Sequence, residues 1–223
     1  MVRRPRKNRT GIRLASFRRG LLQWYAAYGR KFPWRKTTAS LYIKILSEIL
    51  LQRTRAETVA AFLPAFTIRF SSWSSIASAR RGEIARHLKP IGLWRQRSKS
   101  LVKLATVLAS RNGRFPRTRN EIESLPGVGQ YIANAVLLFC YAEPQPLLDV
   151  NMARVLERYF GPRRLADIRY DPDLQFLALS VVRCENPVTL NWALLDLATL
   201  VCRPKRPLCA QCPVSRGCRF PPG

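Results

Sequence analysis

Three features of the 223-residue sequence predict an all-α fold with short connections. Apolar residues recur three and four positions apart in six runs, at 21–29, 41–52, 100–110, 131–142, 151–161 and 174–184. No segment shows the convincing apolar–polar alternation of a half-buried strand. Breakers fall between the runs, at Phe32-Pro33-Trp34, Asn112-Gly113, Phe115-Pro116, Leu125-Pro126-Gly127, Glu143-Pro144, Gly161-Pro162 and Asn186-Pro187. There is no clear internal repeat or low-complexity linker.

Taken in chain order, residues 1–13, "MVRRPRKNRTGIR", have no apolar core for a signal peptide and read as a flexible basic arm. In "LYIKILSEILLQ" (41–52) the stripe Leu41, Ile45, Glu48, Gln52 places a carboxylate on a largely apolar helical face. Thr118-Arg119-Asn120-Glu121 has the form of a capping box that opens a helix, which makes Glu121 structural. "LPGVG" (125–129) is a tight turn poor in side chains that leads directly into the apolar run at Tyr131. Its exposed backbone N–H groups and the positive end of the following helix suit a DNA phosphate. Asp149 stands just before the run near Asn151, where it reads equally as a helix cap. Cys140 and Cys184 lie inside apolar runs and read as core residues.

The charge balance narrows the class of partner. Lys and Arg number 39 against 13 Asp and Glu, a formal charge of +26, and such an excess calls for a polyanion, most often nucleic acid. The first carboxylate in the chain is Glu48, after 13 basic residues. With 47% hydrophobic residues the chain can also build a real core, so it is a folded protein rather than a charged tail. No apolar stretch reaches the roughly 18 residues of a membrane span, since the run at Tyr131 is interrupted by Asn134, and a soluble protein is expected.

Cys202, Cys209, Cys212 and Cys218 follow the spacing C-x6-C-x2-C-x5-C. Four soft sulfur ligands on short loops can surround one ion or cluster. Spacing alone leaves a four-cysteine zinc site and an iron-sulfur cluster open, with two disulfides as the bland alternative.

The cysteine loop, "LPGVG" and "LLDVN" (147–151) occur together in the order seen in the endonuclease III superfamily of helix-hairpin-helix DNA glycosylases, which the sequence resembles from about Leu14 to Cys218. The resemblance implies a two-lobed all-α fold with DNA held in the groove between lobes and a C-terminal 4Fe-4S cluster loop formed by the four cysteines. It places one lobe in 14–36 plus 145–223 with the cluster, and the other, containing the hairpin across Ile122 to Ala142, in 37–144. The implied cofactor serves structure or DNA-dependent redox behaviour rather than base removal.

Site residues follow from the same resemblance. Asp149 aligns with the catalytic aspartate, which stabilises positive charge on the sugar, deprotonates water or forms a transient adduct. Glu48 matches the glutamate of adenine-removing MutY enzymes and of thymine-removing Mig-type mismatch glycosylases. Tyr131 stands where bifunctional relatives carry the lysine that forms a Schiff base. A phenol cannot form that imine, so an enzyme without lyase action is implied, although Lys44, Lys89, Lys99 or Lys103 could approach. The expected DNA contacts are Gln52 and Arg53 as a wedge segment, Trp94 in "IGLWRQR" (91–97), and Leu125, Gly127, Val128, Gly129 and Gln130 in the hairpin turn.

Among relatives, the sequence is nearer the Mig type than MutY. It ends five residues after Cys218, where MutY enzymes continue into a domain that inspects oxidised guanine; its 91–97 loop differs from theirs; and it carries Tyr131 where they usually have serine. "LLQWYAAYGRKFPWR" (21–35) is common to both. The expected activity is removal of thymine or uracil opposite guanine, leaving an abasic site. Adenine excision from A·G mismatches is the runner-up, and a non-catalytic or redox-sensing iron-sulfur DNA-binding module the alternative from another class. The expected partner is mismatched double-stranded DNA bound by a monomer in a prokaryotic cytoplasm at the nucleoid, with an AP endonuclease as the candidate downstream partner.

Overall fold

The computed structural model describes residues 7–220, with side chains from Arg13 onward. Among the described residues there are eleven α-helices and no strand. In order they are α1 (Lys7–Tyr28), α2 (Leu41–Leu51), α3 (Ala56–Arg69), α4 (Trp73–Ser78), α5 (Arg81–Leu88), α6 (Trp94–Ala109), α7 (Arg119–Glu123), α8 (Gln130–Tyr141), α9 (Val150–Phe160), α10 (Pro172–Val182) and α11 (Pro187–Leu200). None of these is long and apolar enough to cross a membrane.

The chain divides into two compact units, one made of residues 1–30 with 144–223 and the other of residues 31–143. The first boundary lies six residues before the one expected from sequence. The short 3-10 turn Pro33–Arg35, with Trp34 buried, packs on α2 and so belongs with the second unit.

In the discontinuous unit, α1 and α9 both pack on elements near the end of the chain. The core holds Phe17, Leu21, Met152, Leu156, Leu190 and Leu194, all fully buried. Part of the expected basic arm is helical here, because α1 begins at Lys7; residues 1–6 lie outside the described residues. Arg13 anchors this first part of the helix to the end of the chain's described residues. Its guanidinium donates to the carbonyls of Tyr159, at 2.8 Å, and Gly217, at 3.0 Å, and lies over the Tyr159 and Phe160 rings. A buried ion pair, Arg30 to Asp196 at 2.7 Å, fixes the end of α1 to α11. Asp171 caps α10, where it accepts from the N–H of Leu174 and of Arg164 and Leu165.

The continuous unit is built around α2, α6 and α8. Ile45, Leu46 and Leu50 of α2 pack against the apolar stretch Ile132–Leu138 of α8, and α4 and α5 lie on α6. The capping box at Thr118 is formed with Glu121, which accounts for that glutamate as a structural residue. Ala142 ends α8 in the left-handed conformation, and its N–H closes on Leu137.

Candidate active site and nucleic-acid interface

The turn 125–129 connects α7 to α8 by a path only a glycine follows comfortably. Gly127 has φ +76°, and a Cβ there would lie 3.1 Å from the Ser100 Cβ on α6. The Val128 N–H turns inward to the Leu125 carbonyl at 3.1 Å, and both side chains are buried. These two residues, expected as DNA contacts, therefore build the turn from within. Among the described residues no hydrogen bond engages the N–H of Gly127 or Gly129, and Gly129 is exposed at the N-cap of α8 with no side chain covering the helix end. With Gln130 they leave an open donor set aligned with the positive end of a helix, the arrangement that holds an anion.

One residue beyond that set, Tyr131 donates its phenolic O–H to Oε2 of Glu48 at 2.9 Å. Glu48 is only 2% exposed, because the apolar face of α2 that carries it packs on α8. The half-buried tyrosine thus links the mouth of the hairpin helix to a carboxyl removed from water. The helical stripe read from sequence placed Glu48 on this face; the tyrosine as its partner, 83 residues away, carried no local signal.

Gln52 and Arg53 follow directly at the end of α2, both exposed, and Arg53 takes a left-handed backbone at φ +59°. The strained, projecting loop is held from below by Arg97 on α6. That guanidinium donates to the Gln52 carbonyl, to the Thr54 hydroxyl at 2.7 Å and to the Ile91 carbonyl at 3.1 Å. It ties the 52–54 loop to the 91–94 loop, where Gly92 and Leu93 also have positive φ and Leu93 is exposed. Burial lowers the Arg97 pKa, yet it stays cationic at neutral pH, as any guanidinium does. Trp94 is half-buried, with the cations of Arg95 and Lys89 against its ring at 4.7 Å and 5.6 Å. Its expected stacking role is thus already shared with two basic side chains. Arg97 was not singled out by the sequence; an arginine in a DNA-facing motif reads as a phosphate contact, and its burial under two loops is a tertiary fact.

Asp149, in the discontinuous unit, caps α9. Its Oδ1 accepts from the N–H of Asn151 at 2.9 Å and of Met152 at 2.8 Å, and its Oδ2 accepts from the Asn151 side-chain amide at 2.8 Å. The helix-cap reading is therefore correct as geometry, and it fixes the carboxylate without withdrawing it from solvent, since the residue is half-exposed. The extended approach to it is held by Asn191, fully buried on α11, which accepts from Leu147 N–H at 2.7 Å and donates to the Gln145 carbonyl at 3.0 Å.

From Asn151 the polar contacts continue along α9. Arg154 donates to the Asn151 side-chain oxygen at 3.1 Å, to the Cys202 carbonyl at 3.0 Å and to the Ala198 carbonyl at 2.9 Å. One turn further, Arg158 donates to Cys202 Sγ at 3.4 Å and to the carbonyls of Arg203 and Pro204, while its own carbonyl accepts from Cys218 Sγ at 3.3 Å. Two arginines of one helix thus brace the first and last of the four clustered cysteines. The spacing Asn151, Arg154, Arg158 is the helical one-turn repeat, and it was the available signal for this ridge.

The four cysteines are all half-buried and interact with one another: burial first, then the charges of Cys202, Cys218 and Cys209, push the Cys212 thiol up to about 11. Among the described residues no three of His, Cys, Asp or Glu close to the distances of a single metal ion.

Residues 46–169 match the HhH-GPD superfamily base excision DNA repair protein family. A thymine-DNA glycosylase of Aeropyrum pernix is 36% identical over 93% of this chain and 95% of its own. A thymine/uracil-DNA glycosylase of Pyrobaculum aerophilum is 35% identical over 92% and 91%. The human adenine DNA glycosylase is 30% identical over 92% of this chain but 39% of its own length. Among solved structures, a thermostable thymine-DNA glycosylase superposes with TM-score 0.87 at 32% identity, covering 95% of this chain and 97% of that one. An endonuclease III–DNA complex shares the fold at TM-score 0.76 and 19% identity, covering 92% and 94%.

Proposed function

The chain belongs to the HhH-GPD superfamily of base excision DNA repair proteins, and from that membership we propose that it is a monofunctional DNA glycosylase that hydrolyses the N-glycosidic bond of thymine or uracil mispaired with guanine, leaving an abasic site. The observation that carries this reading is the Tyr131–Glu48 hydrogen bond at the mouth of α8. The group at that position is a phenol already engaged by a buried carboxyl, and it has no amine with which to open the sugar.

In this reading the open N–H groups of Gly127, Gly129 and Gln130 hold a backbone phosphate and position the DNA without reading its sequence. Gln52 and Arg53, projecting on a loop stiffened by Arg97, occupy the gap left by the extruded nucleotide; extrusion costs a few kcal/mol and is least costly at a mismatch. Glu48, oriented by Tyr131, hydrogen-bonds or protonates the departing base. Asp149, its carboxylate held by Asn151 and Met152, faces the positive charge that grows on the sugar as the bond breaks. Cys202, Cys209, Cys212 and Cys218 would hold a 4Fe-4S cluster, which when bound supplies a structural cross-link and a redox-active centre. Arg154 and Arg158 support that loop and neutralise part of its charge. The product is an abasic site, which calls for a separate AP endonuclease.

The test is single-turnover base release from duplexes carrying G·T, G·U or A·G, with strand breaks read before and after alkali. Breaks in the T and U strands only after alkali support the proposal. Breaks before alkali remove the monofunctional assignment, and breaks confined to the A strand replace the substrate with adenine. Iron and sulfide analysis with a visible spectrum tests the cluster: a colourless, zinc-loaded protein would sink it.

A further inference from the structure

A cleft of about 720 Å³ opens in the continuous unit, away from every residue assigned above. It is lined by Arg69 at the end of α3, Ser78 and Ala79 at the end of α4, Arg80, Gly82 and Glu83 at the start of α5, and Arg86 from the last turn of α5. Three guanidiniums face one carboxylate. Glu83 is committed to Arg69 at 2.5 Å, and among the described residues the side chains of Arg80 and Arg86 have no ion-pair or hydrogen-bond partner. Two cations therefore converge on the cleft without compensation.

The backbone adds to this positive field. The N-cap position of α5 is occupied by Arg80, whose side chain makes no capping hydrogen bond; the Glu83 N–H closes on the Arg80 carbonyl at 2.9 Å, and among the described residues the N–H groups of Arg81 and Gly82 have no acceptor. Gly82, the second residue of the helix, has nothing within 4 Å of where a Cβ would be, which leaves the approach open. Arginine forks beside uncovered helix N–H groups select planar or tetrahedral oxyanions, and phosphate above carboxylate where several donors converge.

The location separates this cleft from the proposed lesion site. Both DNA-facing loops sit at the opposite ends of the same helices: Arg53 just before α3, and Leu93 just after α5. The 14 residues of α3 put about 20 Å between Arg69 and the loop that carries Arg53, and the first turn of α5 stands about 10 Å from that helix's end, with Arg86 reaching back to it from the last turn. A phosphate held at the Arg53 loop does not reach the Arg69 end of the cleft.

We propose that the Arg69–Arg80–Arg86 cleft is a second phosphate-binding site of this protein, independent of the lesion site. The phosphate comes either from the backbone of a second nucleic-acid segment or from a free polyphosphate. On the first source, the protein holds two DNA segments at once, which lets it pass from one to the other without full release; on the second, cellular polyphosphate competes for the same residues.

The experiment uses the full chain and the double variant Arg80→Ala/Arg86→Ala, which removes the two uncompensated guanidiniums and spares the Arg69–Glu83 pair. Both side chains are exposed, and thermal unfolding checks that the fold is kept. Each protein is first saturated with a short G·T duplex. Binding of a labelled, fully matched duplex is then followed by anisotropy across a salt series, and tripolyphosphate is titrated in parallel by thermal shift. Loss of two phosphate contacts lowers the log–log salt slope by about 1.8 for the second duplex. That result supports the backbone source. Loss of the tripolyphosphate shift with an unchanged second-duplex slope supports the free-phosphate source. Equal behaviour of both proteins toward both ligands overturns the proposal. Because base release is not the readout, failure of the glycosylase assignment leaves this test intact, and base release from the short duplex is expected to be the same in both proteins.

Discussion

Replacing Tyr131 by Phe removes one oxygen and keeps the ring, so its effect isolates the hydrogen bond to Glu48. The bond is 2.9 Å long, and its acceptor is a carboxyl that is 2% exposed. A hydrogen bond to a charged group in such surroundings contributes about 1.5–3 kcal/mol. If that energy serves to hold Glu48 in its working orientation, it appears in the barrier, and at about 1.4 kcal/mol per decade the single-turnover rate of base release falls roughly 10- to 100-fold. Glu48→Gln removes the proton-transfer capacity itself and is expected to cost about 100- to 10,000-fold. The informative measurement is the double-mutant cycle under saturating enzyme. Once Glu48 is Gln, the Tyr131→Phe change is expected to add little, giving a coupling energy of about 1.5–3 kcal/mol. Additive single effects, or a coupling below about 0.5 kcal/mol, would show that the tyrosine does not act through this carboxyl. Unchanged DNA affinity in all variants separates the effect from a loss of binding.

Four other outcomes follow from the geometry. Asp149→Asn keeps an efficient helix cap while discarding the charge, so base release is expected to fall at least about 100-fold with folding and DNA affinity retained, as measured by thermal unfolding and anisotropy. Arg154→Gln cuts the contact between Asn151 and the Cys202 carbonyl; with the proposed cluster in place, iron retention during dialysis and base release should both decline, and loss of neither would separate the cysteine loop from Asp149. Gly127→Val forces a β-branched residue into φ +76° against Ser100 and should destabilise the chain by about 1–3 kcal/mol, read by denaturant unfolding, with weaker binding to matched duplexes. The Asp171 carboxyl is held below the usual carboxylate range, chiefly by the N–H of Leu165 and then of Leu174. Its contribution to stability is therefore present above the ordinary carboxylate pKa of about 4 and is lost as pH falls through the lower folded value. Asp171→Asn should accordingly differ from the parent in thermal midpoint at pH 6 and converge with it in strong acid.

What the sequence disclosed was chiefly what repeats locally. The Thr118 capping box, the glycine turn and the apolar face bearing Glu48 depend on residues within a few positions of one another, and each is present as read. Helices α3, α4, α5, α7 and α11 were not among the six periodic runs. Pro64 interrupts the pattern of α3; α4, α5 and α7 have only 6, 8 and 5 residues, too few to establish a period; and α11 is buried around most of its circumference, which blurs the contrast between faces. The site was legible as residue types but not as pairs. Glu48 with Tyr131, Arg97 with Gln52 and Arg154 with Cys202 are separated by 83, 45 and 48 positions, and nothing in a single sequence records such a meeting. Arg13 shows the same limit from the other side: a basic residue among basic residues reads as part of a solvated arm until the carbonyls it holds are in view.

The discontinuity of the first unit also sets a timetable for biosynthesis. Helix α1 leaves the ribosome before residues 31–143, yet the surfaces that cover Phe17 and Leu21 belong to residues beyond 144. At the usual 5–20 residues per second, that gap lasts roughly 6 to 20 s. During it the continuous unit has its whole sequence available and can close on its own core, while α1 waits with its apolar side uncovered. The loop that follows α11 then supplies Gly217, whose carbonyl Arg13 grips, so the first helix closes only after that late segment has emerged.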